Sequence, residues 1–444
     1  RDTLLKKEKI DKVILAQKVI NLGISFKDDI SIGDYIDSLS FTQITSKATI
    51  DAAKELLKLR IRREISEGCT DISDWIKQNG NLDIDEIVSS CDSKYSDVIN
   101  SYEIDDEPRN IFEDLEDMVE ERGNNPVNEF GFQTAYPEFN RLYGGLRPGN
   151  LYAIVARPGQ GKSTFIGDMA LKAAVKNNAQ VLVLDTEMST VDIQFRMVAA
   201  ISDVPVWHLE TGNWRKNPEL VEKVREAFKK VKDYEYYHYE VGNKNIDQIC
   251  SLVRRWYFSK VSRGEPCIIA YDYVKLTGEK VGNNWAEHQA IGDKIDKLKK
   301  LAEEVNAALI TAMQLNRSGE RGNNAAAVDD SSAISLSDRL QWFASFVAIF
   351  RRKTNDEIAQ DGQDFGTHKL IPLKTRFQGK DAAGHQDLFR RTLQDGTQRF
   401  VNNYLNYDCN NFRIDERGSL RDIVQRENEQ FLVEGSNQND GEIL

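Results

Sequence analysis

In the stretch ARPGQGKSTF, from Ala156 to Phe165, two glycines, a lysine and a hydroxyl residue stand at the spacing that binds phosphate. Gly159 and Gly161 let backbone N–H groups approach an anion, Lys162 supplies a cation to β and γ phosphates, and Ser163 offers a hydroxyl to magnesium. The strict phosphate-loop pattern, G-x-x-x-x-G-K-[ST], opens on a glycine where this chain has Ala156. A strand end is extended backbone, which costs a non-glycine residue nothing, so the loop stays usable. The run Arg157, Pro158, Gly159, Gln160, Gly161, Lys162, Ser163 and Thr164 is therefore expected to hold ATP, with Mg2+ beside it.

Three further apolar runs end on polar groups. Asp185 and Glu187 end VLVLDTEM, where a carboxylate can orient or deprotonate a water attacking a γ phosphate, or else simply cap the next segment. Asp272 ends CIIAYD. Burying a charge is costly, so an acid there is expected to serve the magnesium together with Ser163. Gln314 ends AALITAMQ beside a glycine-rich polar loop, where an amide can sense the γ phosphate and pass its state on.

These groups need a frame to bring them together. LYAIVA, VLVLD, CIIAYDY, AALITAMQL, FVAIF and KLIPLKTRF are too short for buried helices and suit strands buried on both faces. Ile291, Ile295, Leu298, Ala302 and Val305 form a helical stripe between two of them. The layout predicts an α/β domain with a mostly parallel sheet and functional loops at the carboxyl ends of its strands. Residues 1–105 read instead as helices, with apolar spacing near three and four at Ile50, Ala53, Leu57 and Ile61. Ile111, Phe112, Leu115, Met118 and Val119 line one face of a helix within a linker at 106–128, which GNNP ends. That stripe packs on its own domain or on a neighbouring subunit. The motor spans 129–425, and the acidic end at 426–444 is too polar to bury and is expected to be unstructured, with a partner-docking peptide as the alternative.

Composition narrows the function classes. With 444 residues, 40% hydrophobic and 29% charged, the chain reads as soluble and multidomain. No apolar run approaches the length of a membrane span, so no membrane partner is expected. Five scattered cysteines outside any C-x-x-C pattern favour a reducing cytoplasm and argue against structural zinc. A net charge of -12 has the wrong sign for coating nucleic acid nonspecifically, although a local basic channel remains compatible with it.

Taken together, these motifs resemble the DnaB-type replicative DNA helicases, bacterial or phage proteins of superfamily 4, most strongly over Ile111 to Phe400. The ARP-x-x-GKS form of the loop, with alanine first, is usual in that family. LEDMVEER followed by GFQTAYPEFNRLYGGLRPGNL resembles its linker helix and the lead-in to its RecA-like motor. LDTEMS resembles the motif whose catalytic glutamate maps to Glu187, and YDYVKL its Walker B element, mapping to Asp272. HQAIGDKIDKLKKLAEEVNAALITAMQLNRSG places the sensor glutamine at Gln314. LKTRFQGKD resembles a late hairpin whose lysine and arginine, here Lys374 and Arg376, reach the ATP site of the adjacent subunit. The chain departs from the pattern at Ser163 (threonine is usual), at Met313 (serine), and after Arg376, where Phe377, Gln378 and Gly379 replace Asn-Gly.

The resemblance implies an α/β RecA-like P-loop ATPase motor preceded by an all-α N-terminal domain and a linker helix. It further implies a ring, usually a hexamer, translocating 5′ to 3′ on single-stranded DNA, with a helicase loader and a primase as partners. The segment after Gln314 is the expected DNA contact, through Arg317, Arg321 and Arg339, unless these arginines only solvate a surface loop. A recombinase or regulatory ring ATPase without unwinding, and an ATP-gated scaffold, remain open alternatives at this stage.

Overall fold

The computed structural model describes residues 12–21, 31–41, 46–100, 110–112, 114–128, 130–262, 264–275, 287–314, 340, 342–379, 390–392, 398–400 and 403–439. Two compact units divide the chain, one holding Arg1–Ile87 with Cys91–Pro108, the other Val88–Ser90 with Arg109–Leu444. Described elements of the first unit are helical: Lys12–Asn21, Ile32–Phe41, Ser46–Gln78 and Ile84–Asn100.

The larger unit is built on strands β1 (Asn150–Ala156), β2 (Val181–Asp185), β3 (Tyr236–Glu240), β4 (Cys267–Asp272), β5 (Ala307–Gln314), β6 (Phe346–Arg352) and β7 (His368–Thr375), continued by β10 (Asn403–Asp408) and β11 (Arg413–Ser419). A separate ribbon pairs β8 (Arg390–Thr392) with β9 (Gln398–Phe400). The main sheet runs β11-β10-β7-β6-β1-β5-β4-β2-β3. Ladders from β6 through β1, β5, β4 and β2 to β3 are parallel, and those joining β6, β7, β10 and β11 are antiparallel. All six apolar runs read as strands from the sequence are strands, as the expected RecA-like α/β fold requires. Pro372 sits in β7 where the register with β6 shifts, the place a strand tolerates a residue with no N–H.

Side chains of β1 alternate between two cores. Tyr152, Ile154 and Ala156 face one layer with Phe165, Ile166 and Met169, while Leu151, Ala153 and Val155 face the other with Ile295, Leu298 and Val253. Period-two alternation with both faces apolar explains why the strand reads as one continuous hydrophobic run. The stripe Ile291, Ile295, Leu298, Ala302 and Val305 is buried, on and just past helix Glu287–Glu304.

Two expectations need correction. The linker helix starts at Leu115, so Ile111 and Phe112 precede it: the Phe112 N–H donates to Asn110 Oδ1 at 3.1 Å, and Asp114 takes a left-handed φ of 58°. The end of the chain, expected to be unstructured from 426, is helical over Leu420–Asn439. Buried Leu420 and Ile423 anchor its first turn, Asp422 Oδ2 accepts from the Ser419 N–H at 2.7 Å, and Arg426 donates to the Asp361 carbonyl at 2.5 Å. Once such a nucleus is fixed, each further residue costs little. Among the described residues no helix is long and apolar enough to cross a membrane.

A stack of rings runs through the layer beneath the phosphate loop. Tyr136 stacks on Phe165 (5.6 Å), Phe165 on Phe350 (4.7 Å), Phe350 on His368 (5.2 Å), and the His368 ring meets the edge of Tyr407 (5.4 Å). Burial, reinforced by the Arg352 charge, pushes the His368 imidazole down to about 4. An unfolded imidazole titrates near about 6.5. The unfolded chain therefore takes up the proton first, and stability held above about pH 6.5 is lost as pH falls towards about 4, by about 3 kcal/mol from this one group. Urea unfolding of the chain and of His368→Phe across that window should diverge accordingly, with the phenylalanine variant showing the shallower decline.

Candidate active site

Four strands deliver the polar groups to one edge of the sheet. Ala156 of β1 pairs with Gln314 of β5, and Asp185 of β2 pairs with Asp272 of β4. The phosphate loop leaves β1 and becomes helix Lys162–Asn177, whose amino terminus carries a partial positive charge. Gly161 caps that helix with φ 83° and lies against Tyr407, so close that a Cβ there would stand 2.8 Å from Cε1 of the ring. The Tyr407 hydroxyl lies 3.2 Å from Thr164 Oγ1, and the Arg352 N–H donates to Gln160 Oε1 at 2.9 Å. The loop is thus braced by β10 on one side and β6 on the other. Gly159 has φ 74°, and a Cβ there would meet nothing within 4 Å.

At the base of the loop, Lys162 Nζ donates to Asp272 Oδ1 at 3.1 Å and lies 4.0 Å from the centre of the Tyr273 ring. Ser163, Asp185 and Asp272 line one recess with Thr164, Met188 and Arg196. A hydroxyl and carboxylates are hard oxygen donors, the set that magnesium prefers. Asp185, however, is already engaged: Oδ1 accepts from the backbone N–H groups of Glu187 and Met188, each at 2.7 Å. It holds the turn that carries Glu187, the capping role its sequence position allowed. Burial pushes its carboxyl up against the pull of those two N–H groups, and Asp272 across the ladder adds to the rise.

Glu187 lies at the mouth, its side chain 55% exposed and 3.5 Å from Lys275 Nζ. Burial first, then the nearby Glu187 charge, raise the Tyr273 hydroxyl. Lys162, Ser163, Glu187, Asp272 and Gln314 therefore share one edge of the sheet.

Lys374 and Arg376 do not. Thr375 pairs with Phe346, which pairs with Tyr152 near the start of β1. Ala156 lies four positions beyond Tyr152, so Arg376 stands about 15 Å from the loop along the strands, at the opposite edge. Its N–H donates to the Ser345 carbonyl and Nη2 to that of Trp342, both at 2.9 Å. Partial burial, and then the Arg376 charge, lower the Lys374 ammonium. The departure after Arg376 has a physical reason. Arg147 lies 4.3 Å from the centre of the Phe377 ring and donates to the Gln378 carbonyl at 3.2 Å, while the Gly379 N–H bonds the Leu142 carbonyl at 3.0 Å. A Cβ on Gly379 would overlap the Arg141 carbonyl oxygen at 2.0 Å, so only glycine fits there. Arg317, Arg321 and Arg339 lie outside the described residues.

Sequence reasoning passed over Tyr273, Lys275 and Tyr407. The first two lie inside the quoted YDYVKL, where alternation with buried Val274 puts them on one side. Tyr407 carries no local signal, since it meets the loop from 243 positions away.

Comparison with known proteins places the chain in a family. The family model described as DnaB-like helicase C terminal domain matches residues 131–401. Replicative DNA helicase DnaB of Leifsonia xyli subsp. xyli (strain CTCB07) is 28% identical over 249 residues, covering 55% of this chain and 51% of that protein. The protein of the same name from Geobacillus stearothermophilus is 26% identical over 260 residues, 59% of this chain and 55% of its own. The chain thus spans about half the length of the curated relatives it matches. Among solved structures, a DnaB-like replicative helicase described with its interactions with primase superposes with a TM-score of 0.61 at 17% identity, covering 93% of this chain and 89% of its own. A second solved structure, an ATPase domain on its own, gives a TM-score of 0.55 at 18% identity, covering 69% of this chain and 99% of its own.

Gly161→Ala should weaken binding of a fluorescent triphosphate by about tenfold. A left-handed residue with a Cβ costs about 1–2 kcal/mol before the Tyr407 ring is displaced. Titration of the variant beside Gly167→Ala, a position where a Cβ meets nothing within 4 Å, checks this.

Proposed function

Because the chain belongs to the family of DnaB-like helicase C-terminal domains, we propose that it is the motor of a replicative DNA helicase, coupling ATP hydrolysis between subunits to 5′ to 3′ movement on single-stranded DNA and unwinding of a fork. One observation carries the reading: the phosphate loop and the Lys374/Arg376 pair occupy opposite edges of one sheet. A finger that far from its own loop serves a triphosphate held by another copy.

In this reading the loop N–H groups and Lys162 bind the phosphates, the ammonium exchanging Asp272 for them. Ser163 and Asp272 would hold Mg2+, which supplies charge neutralisation to the phosphate oxygens. Glu187 orients the attacking water and takes its proton. Arg376 of the neighbouring copy, with Lys374 beside it, completes the positive cage; such fingers are worth about 10³ to 10⁵ in rate. Gln314, next to Ala156 and followed in sequence by Arg317, Arg321 and Arg339, couples phosphate state to the strand of DNA.

Assembly has a second support in the linker. No residue of helix Leu115–Asn124 is buried, and Ile111, Phe112, Met118 and Val119 are all more than half exposed. Each such side chain gains about 1.5–3 kcal/mol when covered. A neighbouring subunit, in a ring of six, is the proposed cover, and a loader and a primase are the proposed cytoplasmic partners.

Forked-duplex unwinding, with a loader supplied, tests the reading. Wild type should open forks, and Lys162→Ala and Arg376→Ala should each lose at least about 10³-fold in ATP turnover. Mixing the two variants should restore part of it, because each contributes the half-site the other lacks. Homologous strand exchange without fork opening would point to a recombinase instead, and slow hydrolysis with intact assembly to a scaffold. Met118→Asp combined with Val119→Asp should shift the sedimenting species towards smaller assemblies at equal concentration.

A further inference from the structure

Two lysines and two carboxylates meet at the mouth of the site, with one ring between them. Lys162 reaches Asp272 and the Tyr273 ring; Lys275 reaches Glu187 at 3.5 Å, the Thr186 carbonyl at 3.4 Å and the same ring at 5.1 Å. The proposed function accounts for Lys162, Asp272 and Glu187 and leaves Lys275 without a task.

The backbone beneath Lys275 is fixed from two sides. The Val274 N–H donates to the Ala312 carbonyl at 3.0 Å, and the buried Lys294 ammonium donates to the Lys275 carbonyl at 2.9 Å. Glu187 springs from a turn equally constrained, through the two bonds of Asp185. Two rigid backbones therefore present a cation and a carboxylate to each other across the mouth. The contact itself joins side chains 30% and 55% exposed. Pairs of that kind are worth about 0–1 kcal/mol, too little to matter for folding. They can still choose among the rotamers of an exposed glutamate, which is what catalysis asks of it.

We infer that Lys275 is a positioning residue for the hydrolytic step: it holds the Glu187 carboxylate in place over the nucleotide after Lys162 has moved to the phosphates. Asp272 loses its lysine when the triphosphate binds, whereas Glu187 keeps its own. The Tyr273 ring faces both ammonium groups and lies between the two contacts. This inference rests on the assignment of Glu187 as the group that acts on water.

The test uses the full chain assembled on single-stranded DNA, with single-turnover ATP hydrolysis to read the chemical step and fluorescent-nucleotide titration to read binding. Lys275→Met should slow hydrolysis by between about tenfold and a hundredfold, the range that a misplaced group costs, with nucleotide affinity unchanged. Lys275→Arg should recover most of the rate. In a Glu187→Gln background Lys275→Met should do nothing further, because the group it positions is gone. A wild-type rate for Lys275→Met would overturn the inference, and so would equal slowing in both backgrounds or a loss that arginine does not relieve. Undiminished hydrolysis by Glu187→Gln alone would instead remove the glutamate assignment, and that result is read before any lysine variant.

Discussion

Burial of the central strands on both faces is the constraint on which the rest depends. A strand with apolar layers above and below can carry no charge along its length, since an unpaired buried ion costs several kcal/mol. The chain therefore places its ionisable groups where the strands end. Asp185 and Asp272 stand side by side at the ends of adjacent strands, with Lys162 entering from the loop after β1. The recess is thus a consequence of how the core is built. Each strand contributes its last residue, and the parallel ladders align those residues at one edge.

The same ladders separate the two halves of the proposed catalytic apparatus. β7 returns antiparallel to β6, so its carboxyl end falls at the edge opposite the phosphate loop. Within one copy, the sheet that delivers Lys162 to the phosphates carries Arg376 away from them. In the proposed motor, dependence on a neighbour would follow from strand direction with no additional device. Arg147 between Phe130 and Phe377, and the close seat of Gly379 against Arg141, fix where the finger begins.

Much of this was legible in the residues. The six apolar runs were long enough and continuous enough to be strands, and Ala156 could be accepted as a loop opener because an extended residue needs no glycine. β3, β10 and β11 were not legible. YYHYE lies at the sheet edge and is only partly buried, and NYLNYD and RIDERGS alternate with polar side chains, so none forms an apolar run. The start of the linker helix turned on Asn110 Oδ1 accepting from the Phe112 N–H, a local competition that a stripe of Ile111 and Phe112 conceals. The helix after Leu420 was hidden for the opposite reason. Its composition is polar, and its order comes from Leu420 and Ile423 at the first turn. Candidate site residues that come from a strand end could be placed at one edge of the sheet from the sequence. Tyr407, which reaches the loop from a distant strand, could not.

The two ion pairs at the mouth differ in a way that matters for a motor. Lys162 and Asp272 are nearly enclosed, at 12% and 9% exposure, and removal of one partner from such a pair costs about 3–5 kcal/mol. Opening it is worthwhile only for a ligand that returns comparable electrostatic energy to both groups. A polyphosphate with its divalent ion does so, offering an anion to the lysine and a cation to the aspartate in one event. The Lys275–Glu187 contact is open to water and costs little to make or break. In the proposed motor, the enclosed pair sets which ligand can enter, and the open pair orients the acting carboxylate at little energetic cost. The difference in burial belongs to the proposed mechanism, and it traces back to strand length: Asp272 is the last residue of β4, and Glu187 lies two positions beyond the end of β2.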